Sequence, residues 1–141
     1  MASLKIKNVG SWYVTAIGYA EPNGCTGRMW LGPGIIEPAK ETTIKLSPNE
    51  IFSFQAVSKR GSAGAGTYIT EYCENVGGSL RFTPKENGQY EMIIGMLLEE
   101  KQCIYSFKEI TPSGKIDIAS LEKNEVVVPQ FSTSPMCKKF M

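Results

Sequence analysis

The sequence contains no histidine at all. That removes Ser-His-Asp triads, Cys-His nucleophile pairs and every imidazole-ligated metal site. Aspartate is nearly missing too, with Asp117 its sole representative, so oxygen-rich calcium loops are excluded. No two cysteines have the close C-x2-4-C spacing of a structural zinc site, and no metal or cofactor is expected. Charge of one sign is lacking: 15 Lys+Arg stand against 14 Asp+Glu, a net charge of +1. Such a balance offers no electrostatic footprint for nucleic acid or for an anionic membrane. Apolar runs are short. Met92 to Leu98 is the longest and contains Gly95, so it is expected to be a buried strand, well under the roughly 18 residues of a membrane span. A secretory leader is also not expected at this start, since a strand-like pattern begins directly after Met1-Ala2-Ser3. Two expectations are compatible with this: a cytosolic protein, or the mature domain of an exported one.

What is present is a chain of 141 residues, 42% of them hydrophobic, sufficient for one domain (1–141) with a real core. Its periodicity is mostly two. Leu4, Ile6 and Asn8 alternate with Lys5 and Lys7. Beyond a bend at Gly10-Ser11, Trp12, Val14 and Ala16 share one face while Tyr13, Thr15, Ile17 and Tyr19 share the other. Ala20–Gly34 is rich in glycine and proline and reads as a long loop with a short strand at Arg28–Leu31. Thr42–Leu46 and Ile51–Val57 suggest a hairpin, followed by a glycine-rich loop from Ser58 to Gly66 and a strand at Thr67–Cys73. Ser79–Ile110 reads as a three-strand meander. Its first turn is Pro84-Lys85-Glu86-Asn87-Gly88, and Gln89–Leu97 and Cys103–Ile110 are its later strands. After Ile110 the pattern weakens into a C-terminal extension (111–141) on a core of 3–110. One or two helical turns at Ile118–Lys123 and an edge strand at Val126–Val128 are expected there. About seven or eight short strands point to an all-β sandwich or small barrel.

Cys25, Cys73, Cys103 and Cys137 are far apart in sequence, which favours disulfides in an oxidising compartment over buried thiols. Four cysteines allow three connectivities. If Thr83 lies opposite Gln89, the strand before it runs back until Cys73 approaches Cys103. The expected pairing is therefore Cys73–Cys103 with Cys25–Cys137, the other two patterns remaining open.

Three motifs carry little chemistry. Ser120-Leu121-Glu122-Lys123 matches S-x-x-K, but its companion K-T-G is absent. Gly61-Ser62-Ala63-Gly64-Ala65-Gly66 follows Lys59-Arg60, whereas a phosphate loop needs its lysine after the glycines and at a helix start. Glutamates such as Glu99 and Glu100 sit in turns or on strand faces, with nothing to fix a catalytic pair. An enzyme is not expected. The stronger signal is aromatic: Arg28, Trp30 and Leu31 on the Gly- and Pro-supported loop suit contact with a partner protein.

The segment Cys73, Leu80-Arg81-Phe82-Thr83-Pro84, Gly88-Gln89-Tyr90 and Cys103 resembles small β-sandwich domains of bacterial envelope lipoproteins and periplasmic proteins. There a cysteine precedes an F-x-P-x-x-x-G-x-x-Y-like hairpin and another follows it. The match covers about a third of the chain, and no lipobox accompanies it. It implies an immunoglobulin- or transthyretin-like antiparallel sandwich, export to the periplasm or beyond, and no activity. Two functions follow as expectations. One is a non-enzymatic binding or structural module of the cell envelope, working by protein contact through a sheet edge or the Ala20–Gly34 loop. The other is an inhibitor or immunity-like protein that inserts a disulfide-braced loop into an enzyme.

Overall fold

The computed structural model describes residues 1–21, 26–64, 67–72, 78–99, 102–127 and 136–137, with side chains over 1–20, 27, 29–58, 79–99 and 102–123. Period two dictates the first element. In β1 (Ala2–Asn8), Ala2, Leu4, Ile6 and Asn8 are buried while Ser3, Lys5 and Lys7 reach towards solvent. The same alternation drives β2 (Tyr13–Glu21), where Val14 and Ala16 are buried and Tyr13 is exposed. Ten more strands follow: β3 (Thr26–Ile36), β4 (Glu41–Leu46), β5 (Phe52–Gly64), β6 (Thr67–Tyr72), β7 (Gly78–Phe82), β8 (Gln89–Leu97), β9 (Gln102–Thr111), β10 (Gly114–Ile116), β11 (Glu122–Val127) and β12 (Met136–Cys137).

These strands form an all-β sandwich of two sheets. The smaller has the order β10-β9-β8-β1-β4; the larger runs β12-β11-β7-β5-β2-β3, with β6 also paired to β5. Among the described residues all pairings are antiparallel except β1 with β8, which is parallel from Ser3↔Gln89 to Asn8↔Ile94. The core is built where the inner faces meet. Phe54 and Phe82 of the larger sheet pack edge-on against Phe107 of the smaller, at centroid separations of 5.4 and 5.3 Å. Phe82 also meets Tyr90 at 4.8 Å. Edge-to-face contacts of this kind add about 0.5–1.5 kcal/mol each beyond the burial of apolar area.

Several local expectations change. The three-strand meander is not formed, because β7 pairs with β5 and β11 while β8 pairs with β1 and β9. Thr83–Gly88 is a crossing between sheets. Pro84 is fully buried there, its carbonyl accepts from Asn49 N at 2.8 Å, and Tyr90 Oη accepts from Lys85 N at 2.9 Å. Phe82 and Tyr90 thus face each other across the core rather than lying side by side in one sheet. The register that brought Cys73 towards Cys103 falls with the meander. The β8–β9 hairpin does form, from Gln89↔Ile110 to Leu97↔Gln102.

Thr42–Leu46 and Ile51–Val57 likewise belong to different sheets, β4 beside β1 and β5 beside β2 and β7. The loop expected at Ala20–Gly34 is largely β3, paired with β2 from Val14↔Ile36 to Glu21↔Thr26. Its glycines are accommodated by a register shift between Thr15 and Ile17 and by positive φ at Gly27, Gly32 and Gly34. Ser58–Gly64 continues β5 into a hairpin with β6, Lys59↔Tyr72 to Gly64↔Thr67. No helix occurs among the described residues: Glu122 and Lys123 begin β11, opposite Arg81 and Leu80. β10 and β11 extend the two sheets, so the segment after Ile110 is built into the sandwich up to Val127.

Candidate functional site

The outer faces of the two sheets differ in chemistry. On the smaller sheet, Lys5, Lys7, Glu91, Lys108 and Lys115 cluster, and Lys115 Nζ meets Glu91 Oε1 at 2.6 Å. These charges suit a solvated face. Their opposite number on β2 and β3 is apolar. Trp30 is directly opposite Ile17, and Ile35 is opposite Thr15. Residues opposed in an antiparallel pair share a face. Tyr13 lies on that face two residues before Thr15.

Exposure makes this strip notable. Trp30 is 62% exposed, and Tyr13 and Ile35 are each 52% exposed. Single exposed apolar residues are ordinary, but four held side by side by register form a continuous surface of the kind used for contact. The strip is also rigid. Trp30's ring lies over Gly34, where a Cβ would stand 2.6 Å from Trp30 Cε3; glycine there, at φ +78, lets the indole lie flat along β3. Thr15 and Val57 beneath it are each 9% exposed. Tyr19 Oη donates to Gln55 Oε1 at 3.1 Å at the strip's far end.

Of the residues singled out in the sequence, Trp30 is therefore on a strand face rather than on a loop. Leu31 is buried in the core and contacts Gly18 instead of solvent. Arg28 stands opposite Tyr19 in β3, and its side chain lies outside the described residues. Trp12 is in the core, as expected, although it stands in the bend just before β2 and not on a strand. Cys25 and Cys73 lie outside the described residues, and so does the side chain of Cys137, which pairs with Val126. Cys103, opposite Met96 and packed against the core, is disulfide-bonded; its partner lies outside the described residues. The pairing of the four cysteines is thus not visible among them.

A second feature was not anticipated. Where β9 faces β11 at the open side of the sandwich, Tyr105, Phe107, Ile118, Leu121 and Lys123 surround a cavity of about 310 Å³. Lys108 and Asp117, ion-paired with each other, close one rim. The hydroxyl of Tyr105 is buried with no hydrogen-bond partner among the described residues. Burial pushes its phenol up to about 12. Lys123 Nζ sits 5.3 Å from the Tyr105 ring centroid. The signal for this site was masked in the sequence: with Ile118–Lys123 read as helical turns, the exposed Lys123 had no reason to approach the Tyr105 ring.

Among the described residues no group of three or more His, Cys, Asp or Glu could hold a metal ion. Among them there is no helix long and apolar enough to cross a membrane. Comparison with protein-family models, curated proteins and solved structures finds no match to this chain. Fold and site geometry therefore define the class on their own: an all-β sandwich with an apolar strip on one outer face.

Proposed function

We propose that this protein is a non-enzymatic binding module of the bacterial cell envelope that works by protein contact, using the Tyr13–Ile17–Trp30–Ile35 strip. The observation that carries the reading is the 62% exposure of Trp30 on a paired strand, flanked by Ile17 in direct register. Tryptophan and tyrosine give large contact area at low entropic cost, which is why they dominate the energetics of interfaces. Contact through the face is favoured over strand addition to the β3 edge. Pro33 lacks a donor, and positive φ at Gly32 and Gly34 breaks the edge's regular geometry. The inhibitor-like alternative needs a protruding loop tip, and Trp30 and Leu31 do not stand on one. Localisation to the envelope or periplasm, lipidation and an immunoglobulin- or transthyretin-like lineage belong to the same reading. They rest on the widely spaced cysteines and on the partial resemblance of Cys73–Cys103.

The test is affinity capture from bacterial envelope extract with the wild type and with Trp30→Ala, followed by titration of any recovered partner. The variant should lose at least about tenfold in affinity, as a truncated aromatic anchor does. Its melting temperature should stay within a few degrees, since a largely exposed side chain contributes little to stability. Equal capture by both forms would remove the strip from the function.

A further inference from the structure

β4 stands at one edge of the smaller sheet, paired among the described residues only with β1, from Ala2↔Leu46 to Lys7↔Glu41 without a register shift. The direction of its free backbone groups follows from β1. Ser3 N donates to Gly88 O and Val9 N to Ile94 O, both at 3.0 Å, so the odd-numbered residues of β1 bond towards β8. Asn8 N donates the other way, to Lys40 O at 2.9 Å, so the even-numbered residues bond towards β4. Leu4 and Ile6 therefore take up the backbone of Ile44 and Thr42. The amides and carbonyls of Glu41, Thr43 and Lys45 are left pointing away from the sheet.

Proteins commonly blunt such edges with proline, bulges or short strands. On β3, Pro33 and the positive φ of Gly32 and Gly34 do this, and β10 has only three residues. Glu41-Thr42-Thr43-Ile44-Lys45-Leu46 has no proline, glycine or bulge, and its centre is β-branched. Its charges are placed evenly about that centre: Glu41 two residues before Thr43 and Lys45 two residues after. All three are exposed, and neither charge has an ion-pair partner among the described residues.

This pattern is complementary to itself. A second β4, antiparallel and related by a two-fold axis through Thr43, sets Thr43 against Thr43, and Glu41 of each copy against Lys45 of the other. The three outward-pointing residues then occupy the hydrogen-bonded positions of the new ladder, and both charged pairs are of opposite sign. A slip of two residues leaves Glu41 and Lys45 unpaired, and a parallel copy in register sets like charges side by side.

We propose that β4 is a homodimerisation edge: two copies of the chain pair β4 with β4 about Thr43, joining their five-stranded sheets into one continuous sheet. The Trp30 strip lies on the outer face of the other sheet and takes no part in this pairing.

Sedimentation equilibrium of the full chain tests this. A monomer–dimer equilibrium is expected with Kd below about 100 µM, in the range of small, transient interfaces. Thr43→Pro deletes a central outward N–H, which an edge strand tolerates, and should abolish the dimer while the dilute protein melts like the wild type. Glu41→Lys and Lys45→Glu leave the backbone intact and decide the matter where the proline variant fails to fold. Each alone makes both symmetry-related pairs repulsive and should weaken its own dimer at least about tenfold. Mixed together, the two variants carry opposite charges at both pairs and should form a heterodimer at least as tight as the wild-type dimer. Trp30→Ala should dimerise like the wild type. A wild type that stays monomeric up to about 1 mM overturns the proposal. So does a dimer that survives Thr43→Pro, or charge variants that associate no better mixed than apart. Loss of the dimer in Trp30→Ala also overturns it, by moving the contact to the outer strip.

Discussion

Gly10 and Gly95 touch backbone to backbone at the corner where the chain leaves the smaller sheet for the larger. A Cβ on Gly95 would lie 2.7 Å from Gly10 Cα, and one on Gly10 would lie 2.8 Å from the Gly95 carbonyl carbon. Around this contact the chain stays zipped to β8: Val9 N donates to Ile94 O at 3.0 Å and Ser11 N to Met96 O at 2.9 Å. The obstacle is main chain on both sides, so a side chain there cannot be accommodated by a rotamer change. We predict that Gly95→Ala and Gly10→Ala each cost about 3 kcal/mol, at the upper end for overpacked sites. Urea unfolding measures this, with the exposed Val9→Ala as control. A loss no larger than the control's would mean that the corner can open without penalty.

Asn8 fixes the same corner from inside. It is only 2% exposed, and its amide donates to Trp12 O at 2.8 Å and Ile36 O at 2.9 Å while its Oδ1 accepts from Gly10 N at 3.0 Å. These bonds tie β1, the corner and the end of β3 to one side chain. Asn8→Leu has a similar size but satisfies none of them. It should cost about 2–4 kcal/mol and lower the melting temperature accordingly. Thermal unfolding within a degree of wild type would show that water replaces the amide freely.

How much of this was legible in the sequence depends on the range of the signal. Alternation is local, so the inner faces of β1 and β2, including Asn8, and the burial of Trp12 just before β2 could be read directly from it. Strand partnership is not local. The turn chemistry of Pro84–Gly88 fits a hairpin as well as it fits a crossing, and only the packing of Phe82 on Tyr90 across the core decides between them. Glycine misled in β3 and β5 because it marks both loops and bulged strands, and pairing with β2 and β6 absorbs it. Trp30 was found through its type; its neighbours Ile17 and Ile35 needed the register. The approach of Lys123 to the Tyr105 ring was invisible, since it has meaning only once β11 is known to pair with β7.

The disulfide at Cys103 should brace the end of β9 against the rest of the chain. With the meander register gone, Cys73 stands as the partner on the resemblance of the Cys73–Cys103 segment alone, and on that ground we predict that an unreduced proteolytic digest yields a peptide joining it to Cys103. Cys103→Ser should lose about 2–4 kcal/mol, the usual worth of a native cross-link. Mass spectrometry decides the first point, and a Cys103–Cys25 peptide would refute it. Equal stability with and without reductant would refute the second.

Glu91 supplies a pH dependence. Its carboxylate accepts from Lys115 and has Lys7 and Lys5 nearby, and together these hold it below its ordinary value of 4.5 against a smaller opposing effect of burial. The folded state therefore binds the Glu91 proton less readily than the unfolded chain does. Its contribution to stability is full above about pH 4.5 and fades as pH falls through the lowered folded value. Glu91 is only 8% exposed, but Lys115 is half exposed and lets solvent screen the pair, so the contribution should be about 1 kcal/mol. Urea titrations of wild type and Glu91→Gln at neutral pH should show the wild type slightly more stable. Repeated at successively lower pH, the gap should close, because protonated Glu91 and glutamine then carry the same charge. Added salt should narrow the gap at neutral pH as well. A gap independent of both pH and salt would assign the effect of Glu91 to packing on β8 instead of to its ion pair with Lys115.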